Sequence, residues 1–334
     1  MRLQAFALSF LVLPLAASAD TAPAPQLFAP GEISGPANDW TPAFSPDGKR
    51  MEFTRSGLSW GFILESELKG GHWSEPAIAP YSGEWPDSSP TEARDGSYVI
   101  FESTRPATAA LAEQVRSQHL PLKGSALWKA ERRGAGWGEP QRLPASVNIS
   151  ANMWKPSVDG RGDLYFISKD EGEKNLHLYR SAFKDGAYAQ AEKLPFSDGG
   201  SLDVDPAAAP DDSYLVFSSI GRGPFKDDHE HLYIVFREGV AWGPVQAMCF
   251  DGAGAASGFT LDDDAELGPD GRTLYFASDR TQAVHLPKTR IEAEQDVEDM
   301  QGWNNGNANV WSLDLKPWLD AHRQGRPLPA CPAP

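Results

Sequence analysis

Two stretches of this 334-residue chain gather carboxylates closely enough to do chemistry: Asp203-Val204-Asp205 and Asp262-Asp263-Asp264-Ala265-Glu266. Carboxylates that converge on one point can hold a hard cation through oxygen ligands. They can also divide into a general acid and a general base. Trp40 follows Asp39, Trp154 lies two residues beyond Asn152, and Trp85 lies two residues before Asp87. Indole faces around a polar mouth suit the apolar face of a sugar or a peptide side chain. A third stretch, Asp227-Asp228-His229-Glu230-His231, carries two imidazoles that would point the same way on a strand. No phosphate loop, dinucleotide fingerprint or His-Glu-x-x-His motif is present.

These residues sit on an internal repeat. Five segments share one grammar: an acid or Asn, a Pro, a tight polar turn, then an apolar-aromatic run ending in Ser or Thr and a charge. They are residues 39–55, 87–105, 152–170, 203–222 and 262–280. Pro42 to Phe53, Pro90 to Phe101 and Pro206 to Phe217 are each 11 residues apart, and Pro156 to Phe166 is 10. The fifth copy has Ala265 in place of Pro. Asp-Gly at 47–48, 95–96 and 270–271 supplies the turn of a β-hairpin. The following runs, such as Tyr98-Val99-Ile100-Phe101, have the β-branched and aromatic content of strands. A second hairpin follows most copies, marked by Trp73-Ser74-Glu75-Pro76, Trp137-Gly138-Glu139-Pro140 and Trp242-Gly243-Pro244. Tyr188 keeps that rhythm in the third copy.

Four antiparallel strands per repeat describe the blades of an all-β propeller. The fifth repeat has an outer strand at 308–315 but no following Trp-x-x-Pro strand, and Pro25-Gln26-Leu27-Phe28-Ala29-Pro30 is available to supply it. We therefore expect five blades, with six as the alternative, and a ring closed by the mature N-terminal strand, leaving no bare sheet edge. The expected layout is a signal peptide over 1–19, one propeller domain over 20–318 and a C-terminal tail over 319–334.

The turn Ser45-Pro46-Asp47-Gly48 and its relatives resemble the marker of WD-like propeller repeats, the TolB-like family. The resemblance covers about residues 39–315. It implies a propeller and leaves function almost open, because such repeats serve many kinds of partner.

Arg2, the apolar run Ala5 to Leu15 and Ala17-Ser18-Ala19 form the charged, apolar and small-x-small parts of a secretory leader. A periplasmic or secreted protein is expected, and in that compartment a Cys249–Cys331 disulfide is permissible. With Lys plus Arg at 30 against 46 acids, a net charge of −16 repels phosphate backbones and anionic lipid. Nucleic acid is excluded as a partner, membrane insertion is not expected, and a monomer is. No cofactor is expected beyond a calcium ion that the axial mouth has the residue types to take.

In a propeller, the loops entering the first strand and leaving the second open on one face. The entry acids Asp39, Asp87, Asp203 and Asp262 recur once per blade, so they should pair with the Arg that ends strand two and hold the blades. Asp205, Asp263, Asp264 and Glu266 break the repeat, since other copies carry Thr, Ser, Lys, Trp, Val or Ala there. Asp205, Asp264 and Glu266 are the expected polar binding set, with Trp40 and Trp154 as aromatic walls. His231 precedes Leu-Tyr as His177 does, so it reads as a blade position and no metal is assigned there. Two insertions, 106–124 and 281–307, stand on the same face, where binding usually sits. The function expected is non-catalytic binding of a protein or glycan. The alternative is a glycoside hydrolase or lyase working through axial carboxylates.

Overall fold

The computed structural model describes residues 22–57, 60–134, 136–170, 172–225, 228–250, 261–281, 286–329 and 331. The expected leader, and Asp227, lie outside the described residues.

Each repeat folds as a meander because its turns sit at positive φ (Gly48 at 67°, Gly96 at 72°, Gly271 at 60°) and so reverse the chain tightly. The first blade pairs Asn38–Phe44, Arg50–Ser56 and Gly61–Lys69, with His72–Trp73 and Ala77–Ile78 both on its outer edge. The second runs Asp87–Glu92, Tyr98–Ser103 and Ala126–Arg133, edged by Gly136–Trp137 and Gln141–Arg142. The third is Trp154–Val158, Leu164–Ser168, His177–Ser181 and Glu192–Lys193. The fourth is Leu202–Ala208, Tyr214–Ile220 and His231–Glu238, edged by Ala241–Trp242 and Gln246–Ala247. The fifth is Asp262–Leu267, Thr273–Ser278 and Asn309–Asp314, completed by Gln26–Leu27 from the other end of the chain.

That last pairing closes the ring. Gln26 lies opposite Ser312 and Leu27 opposite Trp311, antiparallel, and the Phe28 amide donates to the Val310 carbonyl at 2.9 Å. The inner strands touch in sequence, first to second and onward, and the fifth touches the first. The chain is a five-bladed β-propeller.

Packing follows the repeat. Phe53, Phe101, Phe166, Phe217 and Phe276 occupy one position of strand two and are fully buried between blades. The outer-hairpin tryptophans are packing residues: Trp73 meets Phe28 and Phe44, Trp137 meets Tyr81, and Trp242 meets Tyr165 and Phe196. The helix Lys316–Arg323 crosses the expected boundary at 318. Trp318 and Ala321 are buried, and Leu319 and Leu328 pack against the core shared by blades four and five. Cys249 and Cys331 are joined in a disulfide, with their Cα atoms 4.8 Å apart.

Candidate functional site

The geometry of the axis starts from one irregularity repeated in every blade. Thr41, Ser89, Lys155, Asp205 and Asp264 share one repeat position and all have positive φ, between 42° and 54°. The inner strand slips register at that point in each blade. The result is a bulge, which bends the strand and re-aims its side chains. Left-handed backbone is costly for most L residues but tolerated by Asp and Asn. All five residues there are polar, and their chemistry varies from blade to blade: Thr, Ser, Lys, Asp and Asp.

The entry acids hold the frame. Asp39 accepts from Arg55 at 2.7 Å, Asp87 from Arg105 at 2.8 Å, Asp203 from Arg222 at 2.7 Å and Asp262 from Arg280 at 2.5 Å. All four acids are buried. The third blade has no such pair, because the residue in register with them is Met153, fully buried, rather than Asn152.

The repeat-breaking acids do something else. Asp205 and Asp263 are buried beside the axis, Asp264 is half-buried, and the Asp264 amide donates to Asp205 Oδ2 at 3.3 Å. Glu230, which precedes the third strand of blade four, joins them: one carboxylate oxygen from each of Asp205, Glu230 and Asp263 lies within 4.8 Å of the others. Asp263 Oδ1 is buried with no hydrogen-bond partner. Glu102, on strand two of blade two, faces the same group and feels the Asp205 charge. Glu266 sits apart from them. It meets Lys155 Nζ at 3.3 Å, and that ammonium also donates to the Ala265 carbonyl at 2.9 Å. Lys155 itself is 2% exposed, an almost wholly buried cation. Arg94 crosses to the same end of strand one in blade five, where its Nη1 donates to the Leu267 and Gly268 carbonyls, each at 3.2 Å.

Burial and mutual repulsion raise the proton affinity of the cluster. The Asp205 carboxyl is pushed up to about 7, first by burial and then by Glu230, against the pull of Lys155 and the Asp264 amide. Burial, followed by the neighbouring carboxylates, holds Asp263 and Asp264 well above the usual range. Burial also raises Glu230, and it pushes Glu102 up to about 7 despite hydrogen bonds from Ser88 and Ser125. Such a cluster retains a proton or attracts a cation.

The aromatic candidates are engaged within the fold. Trp40 donates its indole N–H to Ser56 Oγ at 2.8 Å, and Trp154 packs against the core shared by blades three and four. Trp85 lies under the Arg116 guanidinium, 5.3 Å from its centroid. His231 stacks on Phe225 with ring centroids 3.8 Å apart, in a blade position like that of His177. Gly57-Leu58-Ser59-Trp60-Gly61 spells Gly-x-Ser-x-Gly; Leu58 and Ser59 lie outside the described residues, and the flanking strands Arg50–Ser56 and Gly61–Lys69 pair antiparallel. A nucleophile elbow needs a strand-to-helix turn.

Both insertions carry a helix. Ala109–Gln118 is capped by the Thr108 side chain, and Arg290–Asp299 opens with a capping box of Thr289 and Glu292. Under the first lies a concavity of about 470 Å³ whose apolar walls include Leu111, Val115, Leu120 and Leu122, with Arg105 and Lys123 at its polar edge.

The structure brings Asp205 and Asp264 together and adds Glu102 and Glu230, which were not in the expected binding set. Glu102 follows the strand-two Phe, where the other copies have Thr54, Ile167, Ser218 and Ala277. The rule that singled out the inner-strand acids singles it out too. Glu230 lies between His229 and His231, in a connection outside the shared repeat positions.

No protein-family model matches the chain, and no curated protein matches its sequence. Solved structures match in fold. A putative TolB from Agrobacterium tumefaciens aligns with a TM-score of 0.47 and 16% identity, over 75% of this chain and 73% of that one. TolB from Acinetobacter baumannii gives 0.40 and 17%, over 61% of this chain and 41% of that one. An α-L-arabinofuranosidase from Podospora anserina, solved with cellotriose, gives 0.47 and 11%, over 88% of this chain and 94% of that one. At these identities the likeness is one of fold alone.

Proposed function

We propose that this chain is an exported, non-catalytic propeller of the WD-like, TolB-like kind that binds a protein or glycan ligand on the loop-rich axial face. One observation carries the reading: carboxylates from blades four and five converge at the axis and, among the described residues, have no arginine of their own, while the recurring entry acids each have one. Placing charge this way weakens a fold that does not use it. The two insertions on the same face add contact surface, and the apolar concavity beside the first suits an aliphatic or aromatic side chain. The leader-like first 19 residues support export to the periplasm or beyond. Among the described residues, no helix is long and apolar enough to cross a membrane.

The test is a glycan and peptide array probed with the purified protein and with Asp205→Asn/Asp264→Asn. Loss of a specific signal in the variant supports the axial face. A signal kept by the variant moves binding to the insertions, with 106–124 and 281–307 next in line.

A second reading rests on the spacing of two carboxylates. Asp205 and Asp263 approach within 4.8 Å, and the Asp205 carboxyl is raised to about 7 by burial. A retaining glycosidase sets its two carboxyl groups about 5–5.5 Å apart and needs one of them protonated near neutrality. Release of reducing ends from a panel of polysaccharides, abolished in Asp205→Asn, is the result that favours this reading.

A further inference from the structure

We propose that the axial mouth binds one Ca²⁺ ion through Asp205, Glu230 and Asp263. This rests on the reading of the axial face as a binding face and adds the ion that organises it. The three carboxylates offer one oxygen each, all within 4.8 Å of one another. Ca²⁺ holds oxygen ligands at about 2.3–2.6 Å, so oxygens on opposite sides of one ion stand about 4.6–5.2 Å apart. Mg²⁺ at about 2.0–2.1 Å spans only about 4.0–4.2 Å and demands a near-ideal octahedron. The separation therefore permits a calcium ion without rearrangement of the backbone.

A second observation points to a ligand independently of the clustering. Asp263 is 7% exposed, yet its Oδ1 accepts no hydrogen bond, and its carboxyl is paired only with that of Glu230, itself a member of the cluster. A buried carboxylate oxygen left without a donor costs free energy that a fold seldom leaves uncompensated. Among the described residues, neither Lys155 nor Arg280 supplies the donor. Lys155 is bound to Glu266 and the Ala265 carbonyl, and Arg280 is bound to Asp262. A cation from solvent answers the unmet charge.

The ligand positions are rigid. Asp205 is fixed by its left-handed backbone and by the Asp264 amide, and Asp263 lies on a paired inner strand opposite Ala277. The Glu230 carbonyl accepts the Asp262 amide at 3.0 Å, which ties that residue to the blade-five entry. Three carboxylates leave several of the six to eight positions of Ca²⁺ open. Those positions take water, or hydroxyl and carboxylate oxygens of the ligand bound on this face.

Chelator-treated protein is titrated calorimetrically with CaCl₂ and, separately, with MgCl₂, and its melting temperature is read in CaCl₂ and in EDTA. The expected result is one equivalent of Ca²⁺ per chain and a higher melting temperature with the ion. Asp263→Asn should lower calcium affinity by about tenfold or more, while raising the melting temperature in EDTA because the unmet charge is gone. Glu230→Gln gives the same readout from a residue outside the sheet, should Asp263→Asn not fold. No heat and no calcium-dependent shift in the wild type overturns the proposal, as does unchanged affinity in both variants. Equal affinity for Mg²⁺ overturns the choice of ion. Running the ligand array in CaCl₂ and in EDTA separates the two ideas. Ligand binding without any calcium uptake rejects the ion alone, and calcium uptake with no ligand signal rejects the proposed function alone.

Discussion

The backbone amide of Asp264 donates to the carboxylate of Asp205 across 3.3 Å, so the left-handed residue of one blade supports the left-handed residue of the next. Asp205 thus has two duties, a structural acceptor and a charge at the mouth. They can be separated. Asp205→Asn keeps an oxygen acceptor and a side chain that tolerates positive φ, while Asp205→Ala loses both. The Asn variant should melt like wild type or higher. The Ala variant should lose about 1–3 kcal/mol in chemical denaturation, the cost of one unpaired buried amide. Equal stability of the two variants would show that this hydrogen bond does not couple the blades.

Ring closure gives a second expectation. Phe28 follows the strand Gln26–Leu27 and contacts the rings of Phe44, Trp73 and Tyr275 at 5.8, 5.8 and 5.2 Å. These partners belong to blades one and five, so the segment bridges the seam of the propeller. Deleting residues 22–31 should lower the melting temperature by many degrees and expose the edge strand Asn309–Asp314 to self-association. An unchanged melt and a monomeric elution profile would mean that the seam holds without it.

The architecture was legible because each blade repeats a turn with positive φ and a buried Phe, and four of the five add an acid paired with an Arg. Five copies of one pattern average out the ambiguity of any single strand. The site was partly legible for the opposite reason. A residue free of the repeat's demands stands out, as Asp205, Asp263 and Asp264 do. Glu230 did not stand out because it lies in a connection whose partner, the Asp262 amide, comes from the next blade. The packing of Trp154 was equally hidden. Whether an indole at that position lines a mouth or fills an interface depends on the twist between blades three and four, which no spacing in the sequence records.

Glu52 offers a pH test away from the axis. It is 1% exposed, accepts from the Tyr81 hydroxyl at 2.9 Å, and is pushed up to about 8 by burial, against the pull of Arg50. A folded-state value above the unfolded one means the native protein binds the extra proton. The contribution of Glu52 to stability therefore falls as pH rises from about 4.5 to about 8 and is level beyond. Glu52→Gln removes this dependence. Its stability relative to wild type should be higher at about pH 9 than at about pH 5, in matched urea titrations. A constant difference would place the ionised form comfortably in the fold.

The disulfide between Cys249 and Cys331 closes a sequence separation of 82 residues. Chain-entropy accounting assigns about 4.5 kcal/mol to a loop of that size. Cys331→Ser, or reduction of the wild type, should lower stability by up to that amount. It should also free the C-terminal segment to proteolysis, since the helix Lys316–Arg323 then docks only by non-covalent packing, through Trp318, Ala321 and Leu319 and the stacking of His322 on Phe236. A reduced protein as stable and as resistant as the oxidised one would show that this docking needs no staple.

The four Asp–Arg pairs differ in how deeply the arginine is enclosed, and this grades a last expectation. Arg280 is 8% exposed. It lies against the rings of Phe250, Phe276 and Trp311 at 5.6, 5.6 and 5.4 Å, and donates to both oxygens of Asp262. Arg55, paired with Asp39, is 33% exposed at its side chain. Removing the acid leaves the arginine charge behind, and the damage depends on whether water can reach it. Asp262→Ala strands a guanidinium that packing holds in place, a loss on the order of 3–5 kcal/mol for a broken buried pair. Asp39→Ala leaves Arg55 able to turn toward solvent, so the loss should be clearly smaller. Denaturant midpoints of the two variants, measured side by side, decide the order. If Asp39→Ala costs as much as Asp262→Ala, the pairs act through the geometry of the strand entry rather than through compensation of buried charge.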